Sequence, residues 1–160
     1  MKKSDNKVIN LFEQSSIGTK ALVITESLKM KRGGSLTRPV LAYETWGKLS
    51  KSKDNVIVIL TGLSANSHVT SNSSNTKPGW WEGMVGHNKA IDTTKYYVIC
   101  INSLGSCFGS TGPASINEIT GEPFRLTFPE LTIDDMATAT KLLLDKLEIN
   151  QIHTLIGPSM

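Results

Sequence analysis

The sequence predicts an α/β fold in which an antiparallel hairpin leads into a parallel sheet. Three observations carry that expectation. Continuous apolar, β-branched runs occur at Asn55–Leu60 (NVIVIL) and Tyr96–Ile101 (YYVICI), with a shorter one at His153–Ile156 (HTLI). Strands buried on both faces, in a sheet covered by helices, read this way. A helix-period stretch separates the second run from the third. The third run leads straight into Gly157-Pro158-Ser159, a glycine–x–serine at a strand end.

Taken in order, residues 1–20 are polar and irregular and read as a flexible N-terminal arm. Ala21–Lys29 reads as a strand, Arg32-Gly33-Gly34-Ser35 as a turn, and Val40–Trp46 as a second strand rich in β-formers. Gly47–Asp54 is a polar loop before the first buried run. Two connections, Thr61–Lys95 and Asn102–Leu131, are long and rich in Gly, Ser, Asn and Pro. Loops of that length in a compact domain are usually functional or disordered, and the density of motifs in the second favours function. Thr132 followed by Asp135 approximates a capping box, with Asp in place of Glu. Ile133, Met136, Ala137, Thr140, Leu143, Leu144 and Leu147 then recur at helical spacing, a stripe expected to pack on the sheet.

At 160 residues the chain suits one domain, and 39% hydrophobic content excludes a wholly disordered class. A net charge of +3 with scattered lysines gives no footprint for a nucleic-acid partner. No run of about 18 apolar residues occurs, so no membrane partner is expected. The start lacks the apolar core of a signal peptide. Cys100 and Cys107 match neither a metal spacing nor a disulfide framework. Free thiols, no metal and a cytoplasmic setting are the expectation.

Gly157-Pro158-Ser159-Met160 makes four-fifths of the elbow G-x-S-x-G, in which a serine sits on a strained turn between strand and helix. Gly-x-Ser occurs twice more. Gly33-Gly34-Ser35 belongs to a turn. Gly62-Leu63-Ser64 follows a buried strand, but Ala65-Asn66-Ser67 after it does not open a helix, so Ser64 is the weaker nucleophile candidate.

Six segments make the sequence recognisable: LAYETWG (Leu41–Gly47), GWWEGMVG (Gly79–Gly86), KAIDT (Lys89–Thr93), NSLGSCFGSTGP (Asn102–Pro113), FPELTIDDM (Phe128–Met136) and IGPSM (Ile156–Met160). Together they resemble the homoserine O-acyltransferase family, of the homoserine O-acetyltransferase type, over about three-quarters of the chain. The resemblance implies the N-terminal part of an α/β-hydrolase fold, truncated at the nucleophile elbow, with residues 21–160 an incomplete domain. It implies acyl transfer from acyl-CoA to the side-chain hydroxyl of L-homoserine, in methionine biosynthesis, through an acyl-enzyme on Ser159. Leu63 and Met160 would supply the oxyanion-hole N–H groups. Many family members carry His-Ala-Leu where this chain has Thr61-Gly62-Leu63, a departure that leaves a backbone donor at Leu63 intact. Acetyl-CoA or succinyl-CoA would be a co-substrate, with no permanently bound cofactor and no metal. The full-length family member is expected to be a homodimer.

The triad in this fold runs Ser, Asp, His along the chain. All three histidines precede Ser159, so the fragment is expected to be inactive alone. LTGLSANSH (Leu60–His68) with NSLGSC looks like a succinyl-CoA subgroup, which makes serine or homoserine O-succinyltransferase the near alternative. A non-catalytic remnant, half of a split enzyme, and a plain hydrolase are the others. Trp80-Trp81 either line the acyl-CoA entrance or pin the long loop, and aromatic packing area favours the pin. Gly105, Gly109, Thr111, Gly112 and Pro113 are expected to fix loop geometry, and Cys107 to be a small buried residue. An uncovered His153–Ile156 edge is expected to make the chain poorly soluble.

Overall fold

The computed structural model describes residues 17–62 and 64–159. Most of the expected arm, residues 1–16, lies outside the described residues. Five strands form the main sheet: β1 (Lys20–Val23), β4 (Val40–Trp46), β5 (Val56–Leu60), β8 (Tyr97–Ile101) and β9 (Thr154–Ile156). Their spatial order is β1-β4-β8-β5-β9. β1–β4 and β4–β8 pair antiparallel, whereas β8–β5 and β5–β9 pair parallel. The antiparallel start and parallel continuation expected from the sequence are therefore both present. With α1 (Ile133–Lys146) they make the mixed-sheet α/β arrangement of an α/β-hydrolase fragment.

The strand expected over Ala21–Lys29 is broken. β1 stops at Val23, opposite Val40, and the next backbone N–H, that of Ile24, donates to Pro39 O at 2.8 Å. Pro39 has no N–H to return, so the ladder cannot extend. The chain then leaves the sheet and pairs β2 (Leu28–Lys29) with β3 (Ser35–Leu36) as a separate hairpin. Its turn needs left-handed backbone at Gly33 (φ +97°) and Gly34 (φ +80°), which glycine adopts without a Cβ penalty.

Alternation along the strands divides the core in two. Val56, Val58, Ile99 and Ile101 face the β2–β3 hairpin and the α1 residues Ala139, Leu143 and Leu144. Ile57, Ile59, Val98 and Cys100 face the opposite layer, with Trp46, Val69, Val85 and Ile91. That layer is the 61–95 connection, which contains two short strands unseen in the sequence, β6 (Val85–Gly86) and β7 (Ile91–Asp92). The apolar runs are continuous because both faces are covered.

Thr132 caps α1 as expected. Its hydroxyl accepts from Asp135 N, and the Asp135 carboxylate accepts from Thr132 N at 2.8 Å. Only the second half of the predicted stripe packs. Leu143 and Leu144 are buried, Ala139 takes the place expected of Ala137, and Ile133 is 61% exposed. Ile133, Met136, Ala137 and Thr140 instead line a groove against Leu60, Thr61, Ile101 and Ser103. Leu155 on the edge strand β9 is also exposed, at 59%.

Both long connections are stitched down. The Asn102–Pro113 stretch continues the β4 ladder where β8 has ended: Ala42 N donates to Ser110 Oγ (3.0 Å), Val40 N to Thr111 Oγ1 (2.7 Å), and Thr111 N to Val40 O (2.8 Å). The motif residues do fix loop geometry, but Cys107 is exposed, against expectation: the residue that this loop sends into the core is Leu104.

In the 61–95 connection, Glu82 accepts from Ser71 N (2.7 Å), Ser71 Oγ (2.9 Å) and Gly79 N (2.9 Å). Those bonds, the Gly79 N–H first, hold its carboxyl down to about 2. A depressed carboxyl adds stability that is whole above its unfolded pKa and is lost as pH falls through the folded one. Glu82→Gln is therefore expected to melt earlier than the parent at pH 7, with the difference closing between pH 4.5 and about 2. Thermal melts across that range check it; a gap that persists to pH 2 would assign the effect to packing.

Candidate active site

The sheet topology locates a site before any motif is consulted. β5 and β8 are parallel neighbours, and their onward connections leave to opposite faces: 61–95 over one, α1 over the other. Connections that part in this way open a crevice at the carboxyl ends of the strands, where α/β sheets bind ligands. Here its floor is Thr61 and Ser103, whose hydroxyl oxygens lie 3.4 Å apart.

Ser159 arrives at the same place from β9, which pairs with β5 on its other side. It is exposed, and its side chain lies against Gly62. A Cβ placed on Gly62 would fall 2.8 Å from Ser159 Cβ and 3.4 Å from its Oγ. The absent side chain at Gly62 thus makes room for the serine, a role invisible in the sequence because the two are 97 positions apart (159 less 62). At Gly157 the crowding associated with an elbow glycine is not found: a Cβ there would meet nothing within 4 Å. The two backbone donors expected at Leu63 and Met160 lie outside the described residues. Ser64 is exposed and is followed by bends rather than a helix, as its weaker standing required.

Downstream of Gly62 the chain is held by side chains from three directions. Trp80 Nε1–H donates to Asn66 O (2.8 Å). Asn102 Nδ2 donates to Ser67 Oγ (3.2 Å) and to Phe108 O (2.6 Å). His68 Nδ1 lies 2.9 Å from Glu44 Oε2, and its Nε2 2.8 Å from Lys77 O. Trp80 stacks on Trp81 at 5.1 Å, and both pack on the second core cluster. The tryptophans pin the loop.

No described histidine is placed to serve Ser159 as a base. His68 is fully engaged. His153 lies at the amino end of β9, against Tyr96, while Ser159 follows the carboxyl end. His87 is exposed between β6 and β7. Cys100 is buried, and burial pushes its thiol up, away from nucleophilic use. Among the described residues no three His, Cys, Asp or Glu side chains gather as a metal site would need, and no helix is long and apolar enough to cross a membrane.

Strand order, crossover and a serine at the end of the fifth sheet strand define the class: this is the α/β-hydrolase fold. No family model matches the chain. Serine O-succinyltransferase from Xanthomonas campestris pv. campestris (strain B100) is 52% identical over 143 residues, covering 89% of this chain and 38% of that protein. Homoserine O-acetyltransferase from Bacillus anthracis superposes with a TM-score of 0.79 at 32% identity, over 88% of this chain and 39% of that one. Esterase E22 superposes equally, TM-score 0.79 at 33% identity, over 88% of this chain and 40% of its own. The chain spans about 38% of the length of the curated relatives it matches. Over most of its length it matches an N-terminal portion of homoserine/serine O-acyltransferases.

Proposed function

We propose that this chain carries the nucleophile and the oxyanion side of an acyl-CoA-dependent O-acyltransferase that succinylates the hydroxyl of L-serine. The packing of Ser159 against Gly62 carries the reading. It sets a serine hydroxyl beside the turn that follows β5, in the crevice at the carboxyl ends of three parallel strands.

Ser159 Oγ would attack the thioester carbonyl of succinyl-CoA, with its proton passing to a histidine base and the CoA thiolate leaving protonated. The N–H groups of Leu63 and Met160 would receive the oxyanion. The hydroxyl of serine would then attack the acyl-enzyme through a second tetrahedral intermediate, regenerating Ser159. His68, His87 and His153 are spoken for or remote, so the base and its carboxylate come from outside these residues.

The choice of donor and acceptor changes from the first expectation. Homoserine and acetyl-CoA gave the type of the resemblance, but the relative at 52% identity is a serine O-succinyltransferase, against 32% for the homoserine O-acetyltransferase structure. LTGLSANSH points the same way. Homoserine acetylation stands as the second reading, supported by the TM-score of 0.79 to that enzyme.

A chimera tests it. Residues 17–159 replace the matching segment of the Xanthomonas campestris enzyme, and all four pairings of acetyl- or succinyl-CoA with serine or homoserine are assayed. Succinyl transfer to serine is expected to dominate, and Ser159→Ala to lower it by about 10⁴-fold or more. A folded chimera that keeps its activity with Ser159→Ala, or prefers acetyl-CoA and homoserine, overturns the reading.

A further inference from the structure

Glu44 is charged, yet it sits in the middle of β4 with 2% of its surface exposed, on the face covered by the 61–95 connection. Among the described residues, its side-chain hydrogen-bond partners are Thr19, Asn72 and His68. Thr19 Oγ1–H donates to Oε1 (3.1 Å), and Asn72 Nδ2 to Oε2 (3.1 Å). His68, 9% exposed, completes the set. Both ring nitrogens of His68 face acceptors, the Glu44 carboxylate at one end and the Lys77 carbonyl at the other. A neutral imidazole can donate from one nitrogen only, so two such bonds need the imidazolium. The catalytic steps above use neither residue.

We propose that Glu44 and His68 form a buried carboxylate–imidazolium pair that positions the turn after β5, and that deprotonation of His68 releases that turn. The proposal rests on the reading of Ser159 and its oxyanion side. His68 is a positioning residue: it acts through Ser67 and Asn66, which lead back along the chain to Gly62. The neighbouring bonds would break with it, since Asn66 Oδ1 accepts from His68 N (3.0 Å) and Asn66 O from Trp80.

The charged groups around the pair agree. Burial alone would lower the His68 pKa, but the Glu44 hydrogen bond, the Lys77 carbonyl and the charges of Glu44 and Glu82 outweigh it, and the net shift is upward from 6.5. Cys100 on β8 is a thiol kept neutral by burial and by the Glu44 charge. A raised histidine adds stability that is whole below its unfolded pKa and is lost as pH rises through the folded one. The device therefore opens on the alkaline side of 6.5.

The test is ¹⁵N NMR of the chain itself. At pH 6.5, where an unperturbed imidazole is half protonated, most of His68 is expected to carry protons on both ring nitrogens. As the ring titrates, exchange of the Trp80 indole N–H and of the His68 and Val69 amides should rise by about ten-fold beyond its intrinsic pH dependence, while the Leu143 amide in α1 stays protected. Glu44→Gln should move the titration to lower pH than in the parent. A ring that is half or more neutral at pH 6.5, or a loop whose protection ignores the titration, overturns the proposal. In the chimera, kcat should fall along the same curve with KM unchanged. A chimera inactive at every pH, beside the expected NMR result, would instead count against the acyltransferase reading.

Discussion

Gly79→Ala is expected to cost at least about 3 kcal/mol, lowering the melting temperature by roughly 6–12 °C. The argument is one of space. A Cβ on Gly79 would fall 2.1 Å from the carbonyl carbon of Val69 and 2.2 Å from the amide nitrogen of Thr70. These are backbone atoms in a segment with little freedom. Trp81 N donates to Val69 O at 2.8 Å, Val69 is fully buried, and its neighbour His68 is paired with Glu44. Gly79 does not need a left-handed backbone, so conformational strain adds nothing and the clash acts alone. Either the 79–82 segment lifts, breaking the Gly79 N–H bond to Glu82, or the 68–70 segment shifts and carries His68 with it. Gly83→Ala is the control: its Cβ would meet nothing within 4 Å, and it should melt within about 1 °C of the parent. Equal melting of the two variants would show that the 69–79 crossing is looser than described.

The contrast between those two glycines shows where sequence reasoning stops. Both belong to one motif, GWWEGMVG, and nothing in the string separates them. Local physics was legible wherever it acts between near neighbours. β4 begins and ends at Val40 and Trp46 as its β-formers predict, and Thr132 and Asp135 cap α1 as their spacing predicts. β5 and β8 declared their burial because both faces of each strand are covered. What escaped depends on contacts across long stretches of chain. The Ser159–Gly62 packing joins two segments that are strangers in sequence. β6 and β7 are two residues each, too short for any period to appear. The first half of the α1 stripe looks identical to the second as a pattern, yet lines an open groove, since a periodicity says which face is apolar and not what meets it. The partner of His68 is not visible in the sequence because Glu44 lies 24 positions away, on β4.

Asp135 combines the two kinds of contact in a single side chain, and removing it should cost about 2–4 kcal/mol. The legible part is the cap. Its Oδ2 accepts from Thr132 N (2.8 Å) and from Thr132 Oγ1 (2.7 Å). The illegible part is Oδ1, which accepts from Lys31 N at 3.0 Å, across 104 positions. That bond ties the start of α1 to the turn of the β2–β3 hairpin, whose Leu28, Met30 and Leu36 share a core with Leu143 and Leu144. Asp135→Ala loses the cap, worth about 1 kcal/mol, and takes from the Lys31 N–H its carboxylate acceptor in a part-buried contact. Asn does not rescue it, because an amide offers one acceptor and turns two donors toward N–H groups that are donors themselves. The pH dependence has the sign of a lowered carboxyl: burial would raise its pKa, but the Thr132 side-chain and backbone bonds and the Lys31 N–H outweigh it. Its contribution should be whole above about 3.8 and fade as pH falls below that value. Asp135→Ala and Asp135→Asn are therefore expected to melt well below the parent at pH 7 and to approach it in acid. A substitution that costs only the cap, about 1 kcal/mol, would mean that the hairpin is anchored by its apolar contacts and that the Lys31 bond is incidental.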